Sequence, residues 1–522
     1  MSFKIVKIRL INFKRFIDYT VFPNDRVNIL VGDNEVGKSS ILEAIDLVAN
    51  GNVHRVESIG LDRLINIDAV KSFEKGKKCF ENLPSLKVEL FLSDEKHDFT
   101  LNGKNNSDSV CCNGIRLVCE PNQDYINEIS SVLSEDPGYF PYDYYSIRFS
   151  TFADEGYTGL KKKIRATLID SSVMNTMYAT SDFVRRMYIQ YTENNIRERT
   201  SHKSKYRQIR DAFQASCLSD LNKRIPGENH YSFGLRKGSS SIFESDLMIY
   251  KDDIEIDRKG TGEQIFIKTD FALARSKENA DVILVEEPEN HLSPVNLRKL
   301  IQLLALSQNG QLFITTHNSL ISTRLELQNL LIMRNKGLQS PVTLNNLDME
   351  TAKYFMKAPP ANIIEFALAK KVVLVEGPSE YMLMENFYFS SFGQSLEKDD
   401  IHIIDIRGLS FKRFLEVAKL TGSKVAVFTD NDNDFQKHCI DKYKDYKNEN
   451  NIQIFYENNN DKRTFEIVLY EDNKQLCDNL FGNQAIEYML NNKTEVAYKL
   501  LSLNANIKVP DYIFRGLEWI RE

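Results

Sequence analysis

The chain has 522 residues, 42% of them hydrophobic and 27% charged, enough for about three to five domain-sized cores and far too long for a disulfide-stapled scaffold. Its 67 Lys and Arg against 73 Asp and Glu give a formal charge of -6, which excludes indiscriminate coating of nucleic acid. No run approaches the ~18 apolar residues of a membrane span, Met1 to Leu10 has no signal-peptide core, and the seven cysteines form no CxxC pair; a soluble, cytoplasmic protein with reduced thiols, no structural zinc and no membrane contact is expected.

In chain order, residues 3–10 alternate as a strand does, and residues 27–31 form a short apolar strand. Next comes Gly32-Asp33-Asn34-Glu35-Val36-Gly37-Lys38-Ser39, which fits G-x-x-x-x-G-K-[ST] at every position, and then a helical pattern, Ser40 to Val48. That context suits a phosphate loop. Glycines such as Gly32 and Gly37 let the backbone N–H groups of Asn34 and its neighbours curl round phosphate oxygens. Lys38 reaches the terminal phosphates, Ser39 offers an oxygen to Mg²⁺, and Ser40 continues the helix N-terminus that favours anions.

Residues 85–150 read as strands with Gly and Asn turns, and 155–230 as a polar, basic, largely helical insert. Twelve Lys or Arg against four acids between Lys161 and Arg210 make that window +8 and the remainder -14. Phosphate-backbone contact there, with Tyr178, Tyr188, Tyr191 and Tyr206 as stacking partners, competes with a dimerisation arm or a solvated face. Beyond it, Val282 to Val285 is an apolar strand running into Glu286 and Glu287. Carboxylates there are costly unless they meet a cation or water, so Glu286 is assigned to Mg²⁺ and Glu287 to polarising the attacking water. His317 ends another strand, 311–315, where it can meet a γ-phosphate.

A proline-bearing connection, 336–370, leads to a second α/β unit, 371–522, in which strands and helices alternate as in a mostly parallel sheet. Glu376 follows the strand 372–375, and Asp430 and Asp432 follow the strand 425–428. Adjacent parallel strands bring these carboxylates to one sheet edge, where like charges repel unless divalent cations intervene. A calcium loop is rejected: Phe435 stands where the sixth-position Gly is needed and Asp441 where Glu is needed.

The order of the head motifs resembles the ABC and SMC type of ATPase, with Gly260-Thr261-Gly262-Glu263-Gln264 as the signature loop, Asn290 to Pro294 as the loop after the acidic strand, and Asn12 to Phe16 as a RecF-like opening. The signature loop lacks the usual Leu-Ser start, so ATP is expected to act chiefly as a conformational ligand. Glu-Gly after one strand and Asp-x-Asp after a later one resemble a TOPRIM domain. The pairing resembles the OLD (overcoming lysogenization defect) family of ATP-dependent endonucleases, including Gabija-type and retron-associated defence nucleases. Gly408 to Phe414, Thr464-Phe465-Glu466 and Lys493 to Ala497 match its later motifs.

The resemblance implies an α/β fold: a P-loop head in two parts, 1–154 and 231–335, split by the 155–230 insert, then a Rossmann-like TOPRIM domain. It implies ATP bound between two heads with Gly262 and Glu263 facing the partner's phosphates, and hence a homodimer or higher oligomer. It implies two Mg²⁺ or Mn²⁺ positions built from Glu376, Glu380, Asp430, Asp432 and Glu466, with Lys493 neutralising the transition state and Ser410 either supporting a metal-bound water or capping a helix. DNA is the expected substrate and anti-phage defence the expected role, beside a helicase-like companion or a reverse transcriptase with its DNA. The alternative is a DNA-tethering ATPase whose carboxylates do not cut. Topoisomerase and primase are disfavoured because neither a strand-passing domain nor a zinc ribbon is present.

Overall fold

A computed structural model describes residues 3–94, 98–135, 140–159, 162–170, 177–192, 195–224, 232–235, 241–279, 281–290, 292–306, 310–334, 339–357, 362–408, 410–503 and 507–522. They divide into two compact units, one of residues up to 28 and 37–316, the other of 29–36 and 317–522.

The first unit holds an antiparallel sheet and a parallel ladder. In the sheet, Ile5–Phe13 lies between Phe16–Val21 and Leu86–Leu92, which pairs in turn with Cys112–Pro121 and so with Tyr145–Thr151. In the ladder, Val282–Glu286 lies between Ala166–Asp170 and Gln311–Thr315, with Glu286 in register with Asp170 on one side and Thr315 on the other. Helix Lys38–Asn50 touches strands of both, which explains its sequence. Its broad apolar face, Ile41, Leu42, Ala44, Ile45, Leu47, Val48 and Ala49, is buried throughout, while Ser39, Glu43, Asp46 and Asn50 recur at helical spacing as a polar stripe. It stops at Gly51, left-handed at φ 56°, whose N–H closes on the Leu47 carbonyl.

Strand Ala166–Asp170 falls inside the basic stretch 155–230, so that stretch is not helical throughout. Helices Met177–Tyr191 and Ile196–Asn222 follow, the second capped by the Asn195 side chain and burying none of its residues. The Glu244 carboxylate ties them together, taking Arg185 at 2.9 Å and Lys203 at 2.7 Å.

Helix Thr261–Asn279 buries Lys268 completely; its ammonium donates to Thr180 Oγ1 at 3.1 Å and lies 5.9 Å from the Phe183 ring centre. Burial pulls this ammonium down to about 8, against a smaller opposing pull from Asp257. A lysine depressed by folding penalises the native state wherever the unfolded chain holds the extra proton. Lys268→Met is therefore expected to be more stable than the parent by on the order of 2 kcal/mol below pH 8. The advantage should fade as pH rises toward the ordinary lysine value of 10.5. Urea unfolding of both proteins across that window measures it; an advantage independent of pH contradicts the assignment.

In the second unit, Leu330–Met333 runs parallel to the phosphate-loop strand, with Met333 beside Gly32. Arg334, next in the chain, donates to the carbonyls of Thr421 (2.8 Å) and Ala367 (3.0 Å) and to Ser423 Oγ (3.0 Å). The main sheet is parallel throughout, in the order Ile401–Asp405, Lys371–Val375, Lys424–Phe428, Ile452–Phe455. Near-continuous apolar runs such as Val372 to Val375 suit strands covered on both faces. Helix Asp511–Arg521 packs on three of these strands, and a Cβ at Gly516 would lie 2.3 Å from the Phe428 ring. The connecting region contains helices Met349–Lys357 and Ile363–Leu368. The first is held to helix Phe411–Thr421 by Arg413, which donates to Thr351 Oγ1 at 2.6 Å, and by the Phe355–Phe414 edge contact. Among the described residues no helix is long and apolar enough to cross a membrane.

Candidate active and nucleotide sites

The phosphate loop leaves strand Val27–Gly32 and enters helix Lys38–Asn50 at Gly37, left-handed at φ 98°. Both motif glycines are sterically required. A Cβ at Gly32 would lie 2.5 Å from the Met333 carbonyl oxygen, and one at Gly37 would lie 2.5 Å from the Phe16 ring. Gly37→Ala is expected to destabilise the protein by about 1–3 kcal/mol and to weaken ATP binding; melting curves and nucleotide titration check both, and unchanged values in each contradict the steric argument. Asn34 and Ser39 are exposed, Ser40 is half-buried and Lys38 is buried.

Glu286 ends its strand half-buried, in the same unit as Lys38 and Ser39. Glu287 is left-handed at φ 40°, its N–H held by the Thr315 carbonyl at 3.0 Å and Thr315 Oγ1 at 3.1 Å, and its carboxylate takes Asn290 Nδ2 at 2.9 Å. Thr315 is thus a partner the motifs did not indicate, legible only once the two strands are in register. His317 follows strand Gln311–Thr315 by two residues. Gly262 and Glu263 lie in the first turn of helix Thr261–Asn279. The Glu263 carboxylate is engaged by Lys259 at 3.5 Å and Lys251 at 3.8 Å.

The second site stands at the C-terminal edge of the parallel sheet, where open α/β sheets bind their ligands. Strand Lys371–Val375 delivers Glu376, and helix Pro378–Phe392 begins with Glu380 in its first turn. Strand Lys424–Phe428 delivers Asp430; Glu466 opens helix Phe465–Asp472 and Lys493 opens helix Lys493–Ser502. Glu376 Oε1 accepts from Thr429 Oγ1 at 2.8 Å and from the Asp430 N–H at 3.1 Å. Asp430 Oδ1 accepts from the Phe465 N–H at 2.8 Å. Glu466, 4% exposed, takes Lys493 Nζ at 2.9 Å.

The electrostatics follow from that crowding. Burial, then the charges of Glu376, Glu380 and Glu466, push Asp430 up to about 8. Burial, with Glu466 and Glu376, pushes Glu380 up to about 7. For Lys493 burial acts downward, but the Glu466 hydrogen bond and the surrounding carboxylates outweigh it and hold the ammonium above its usual range.

Four of the five expected carboxylates therefore converge with Lys493. Asp432 does not join them in the same way: it sits exposed on a left-handed turn (φ 47°), its N–H donated to the Arg463 carbonyl at 3.2 Å. Ser410 precedes helix Phe411–Thr421 without a side-chain cap bond, and its N–H donates to Tyr354 Oη at 3.2 Å. Thr429 was missed, although its place between strand and Asp430 was a usable signal.

Among the described residues no three His, Cys, Asp or Glu are drawn close enough to grip an ion as they stand. The donor set nevertheless suits a hard divalent cation: oxygens only, several carboxylates, and a charge excess that one lysine does not neutralise.

The AAA ATPase domain family model matches residues 3–115 and 120–321. The model for the TOPRIM domain of overcoming-lysogenization-defect-like proteins matches residues 368–432, which hold Glu376, Glu380, Asp430 and Asp432. The chain belongs to the AAA ATPase domain family and joins that head to an OLD-like TOPRIM domain. This is the domain pairing of an OLD-family protein, and the α/β fold class expected for it is the one observed. Among solved structures, the chain is similar to an SMC head domain from Thermotoga maritima at 15% identity, covering 64% of this chain and 94% of that one with a TM-score of 0.28. It is also similar to an SMC head with an extended coiled coil, bound to the C-terminal domain of ScpA derived from Pyrococcus furiosus (12%, 68% and 100%, 0.32), and to the recombination mediator RecF (11%, 61% and 94%, 0.30). No curated relative matches the chain.

Proposed function

We propose that this OLD-type ATPase is an ATP-regulated, divalent-metal-dependent DNA endonuclease acting in anti-phage defence. The observation that carries the reading is the convergence of Glu376, Glu380, Asp430 and Glu466 with Lys493 on one sheet edge. A chain gains nothing in stability from crowding four like charges together, one buried and three half-buried. Such a cluster makes sense as a site kept for cations and a polyanionic substrate.

Mg²⁺ or Mn²⁺ would be held by Glu376, Glu380, Asp430 and Glu466, with Asp432 at the rim, and would supply an activated water and charge stabilisation for an in-line phosphodiester displacement. The chain's own groups prepare the rest. Thr429 and the Asp430 N–H fix one oxygen of Glu376. Lys493, oriented by Glu466, brings a cation to where phosphoryl charge develops. By their motifs, Gly32, Asn34, Gly37, Lys38, Ser39 and Ser40 would cradle ATP, Glu286 would hold its Mg²⁺, Glu287 would polarise the attacking water, and His317 would meet the γ-phosphate. Gly262 and Glu263 face the second head of a homodimer. A helicase-like protein or a reverse transcriptase with its DNA is the companion expected in defence.

The test is cleavage of supercoiled plasmid in Mg²⁺ or Mn²⁺. The parent is expected to nick or linearise it and Glu376→Ala to leave it intact while still binding ATP; equal cleavage by both proteins would falsify the site.

A further inference from the structure

We propose that Asn431 is a positioning residue that fastens the segment carrying Glu466 onto the turn carrying Asp430, setting the spacing of the two acidic motifs. The inference rests on the nuclease reading above and deepens it.

Asn431 lies between two acidic residues on an otherwise exposed turn, yet it is 1% exposed. Asn on a turn ordinarily bonds its own neighbouring backbone. Here only Oδ1 does so, accepting from the Asn433 N–H at 3.1 Å. Nδ2 instead donates to three carbonyls of one distant loop: Glu457 at 2.9 Å, Asn459 at 2.9 Å and Lys462 at 3.3 Å. That loop leads from strand Ile452–Phe455 to helix Phe465–Asp472, whose second residue is Glu466.

Three flanking contacts close the same seam. Asp432 N–H donates to the Arg463 carbonyl at 3.2 Å, Phe435 N–H to Asn460 Oδ1 at 3.0 Å, and Phe465 N–H to Asp430 Oδ1 at 2.8 Å. The turn itself is held at two successive left-handed residues, Asp432 (φ 47°) and Asn433 (φ 70°), a conformation that persists only where surrounding bonds over-determine it. A single Asn431 amide thus reaches three points of the loop. It touches no reacting group, so its effect on chemistry runs through Asp430 and Glu466. Groups that orient ligands in this way typically matter about 10- to 100-fold in metal affinity.

The experiment uses the full chain as Asn431→Ala and as the isosteric Asn431→Asp, which keeps the packing but removes both donors. Hydrogen–deuterium exchange is read by mass spectrometry, Mn²⁺ binding by electron paramagnetic resonance, and plasmid cleavage by kinetics, with ATP binding as the check on folding. Expected are exchange faster by about tenfold or more confined to 457–466, Mn²⁺ affinity lower by about 10- to 100-fold, and cleavage reduced in kcat with KM for DNA unchanged. Parent-like exchange in 457–466, or parent-like Mn²⁺ affinity in a folded variant, overturns the proposal. If the parent binds no more Mn²⁺ than Glu376→Ala does, the nuclease reading falls, while the exchange measurement still decides whether Asn431 holds the loop.

Discussion

Asp430→Asn is expected to lower metal-dependent cleavage by at least about 10²-fold, in the range that loss of one preorganised electrostatic group costs, and at the same time to raise the melting temperature of the metal-free protein. The two effects have one cause. Asp430 is half-buried and crowded by Glu376, Glu380 and Glu466, so its charge serves a cation and opposes folding when none is present. An amide fills the same volume without that charge. Each kcal/mol relieved should appear as a rise of about 2–4 °C.

The pH dependence has a defined sign. Asp430 rises from an ordinary 3.8 to about 8, and Glu380 from 4.5 to about 7, so the folded state binds more protons than the unfolded state between those limits. Metal-free stability is then greatest on the acid side of the window and is lost as pH rises through 7 and 8. Urea unfolding in EDTA should give that slope for the parent and a shallower one for Asp430→Asn. Equal slopes in the two proteins contradict the cluster.

Lys38→Ala is the second large effect. A charge-assisted contact to a phosphate is worth about 2–3 kcal/mol, so ATP affinity should fall by roughly 10²-fold, as read by isothermal titration. Because Lys38 is buried at the start of its helix, Lys38→Met serves as a control that keeps the aliphatic stem. Both variants should keep parent Mn²⁺ affinity at the TOPRIM carboxylates. Loss of nucleotide binding in Ala but not in Met assigns the lysine to packing and contradicts its role at phosphate.

What the sequence carried and what it did not divide along a physical line. The phosphate loop is legible because its chemistry is contiguous: Gly32 to Ser39 hold the turn, the cation and the hydroxyl within eight residues. Glu376 and Asp430 are legible because each stands within two residues of the end of an apolar run, and parallel pairing then makes them neighbours. Strand Ala166–Asp170 was hidden because Lys161 to Lys163 and Arg165 dominate the composition around five residues whose role is set by pairing with a strand over a hundred residues on. The exposed placement of Asp432 and the inward turn of Asn431 depend on the loop 457–463, which no local pattern announces. The Glu263 pair with Lys259 is a local four-residue spacing, whereas its pair with Lys251 depends on a hairpin, Tyr250–Lys251 with Ile254–Glu255, too short to read in advance.

The most direct measurement is an anomalous difference map from crystals of the full chain grown with MnCl₂. The account predicts manganese peaks coordinated by the carboxylates of Glu376 and Asp430, beside Glu466 and Lys493 and open on the side where DNA would lie. Manganese bound only elsewhere, or those carboxylates neutralised by protons and protein groups alone, would contradict it.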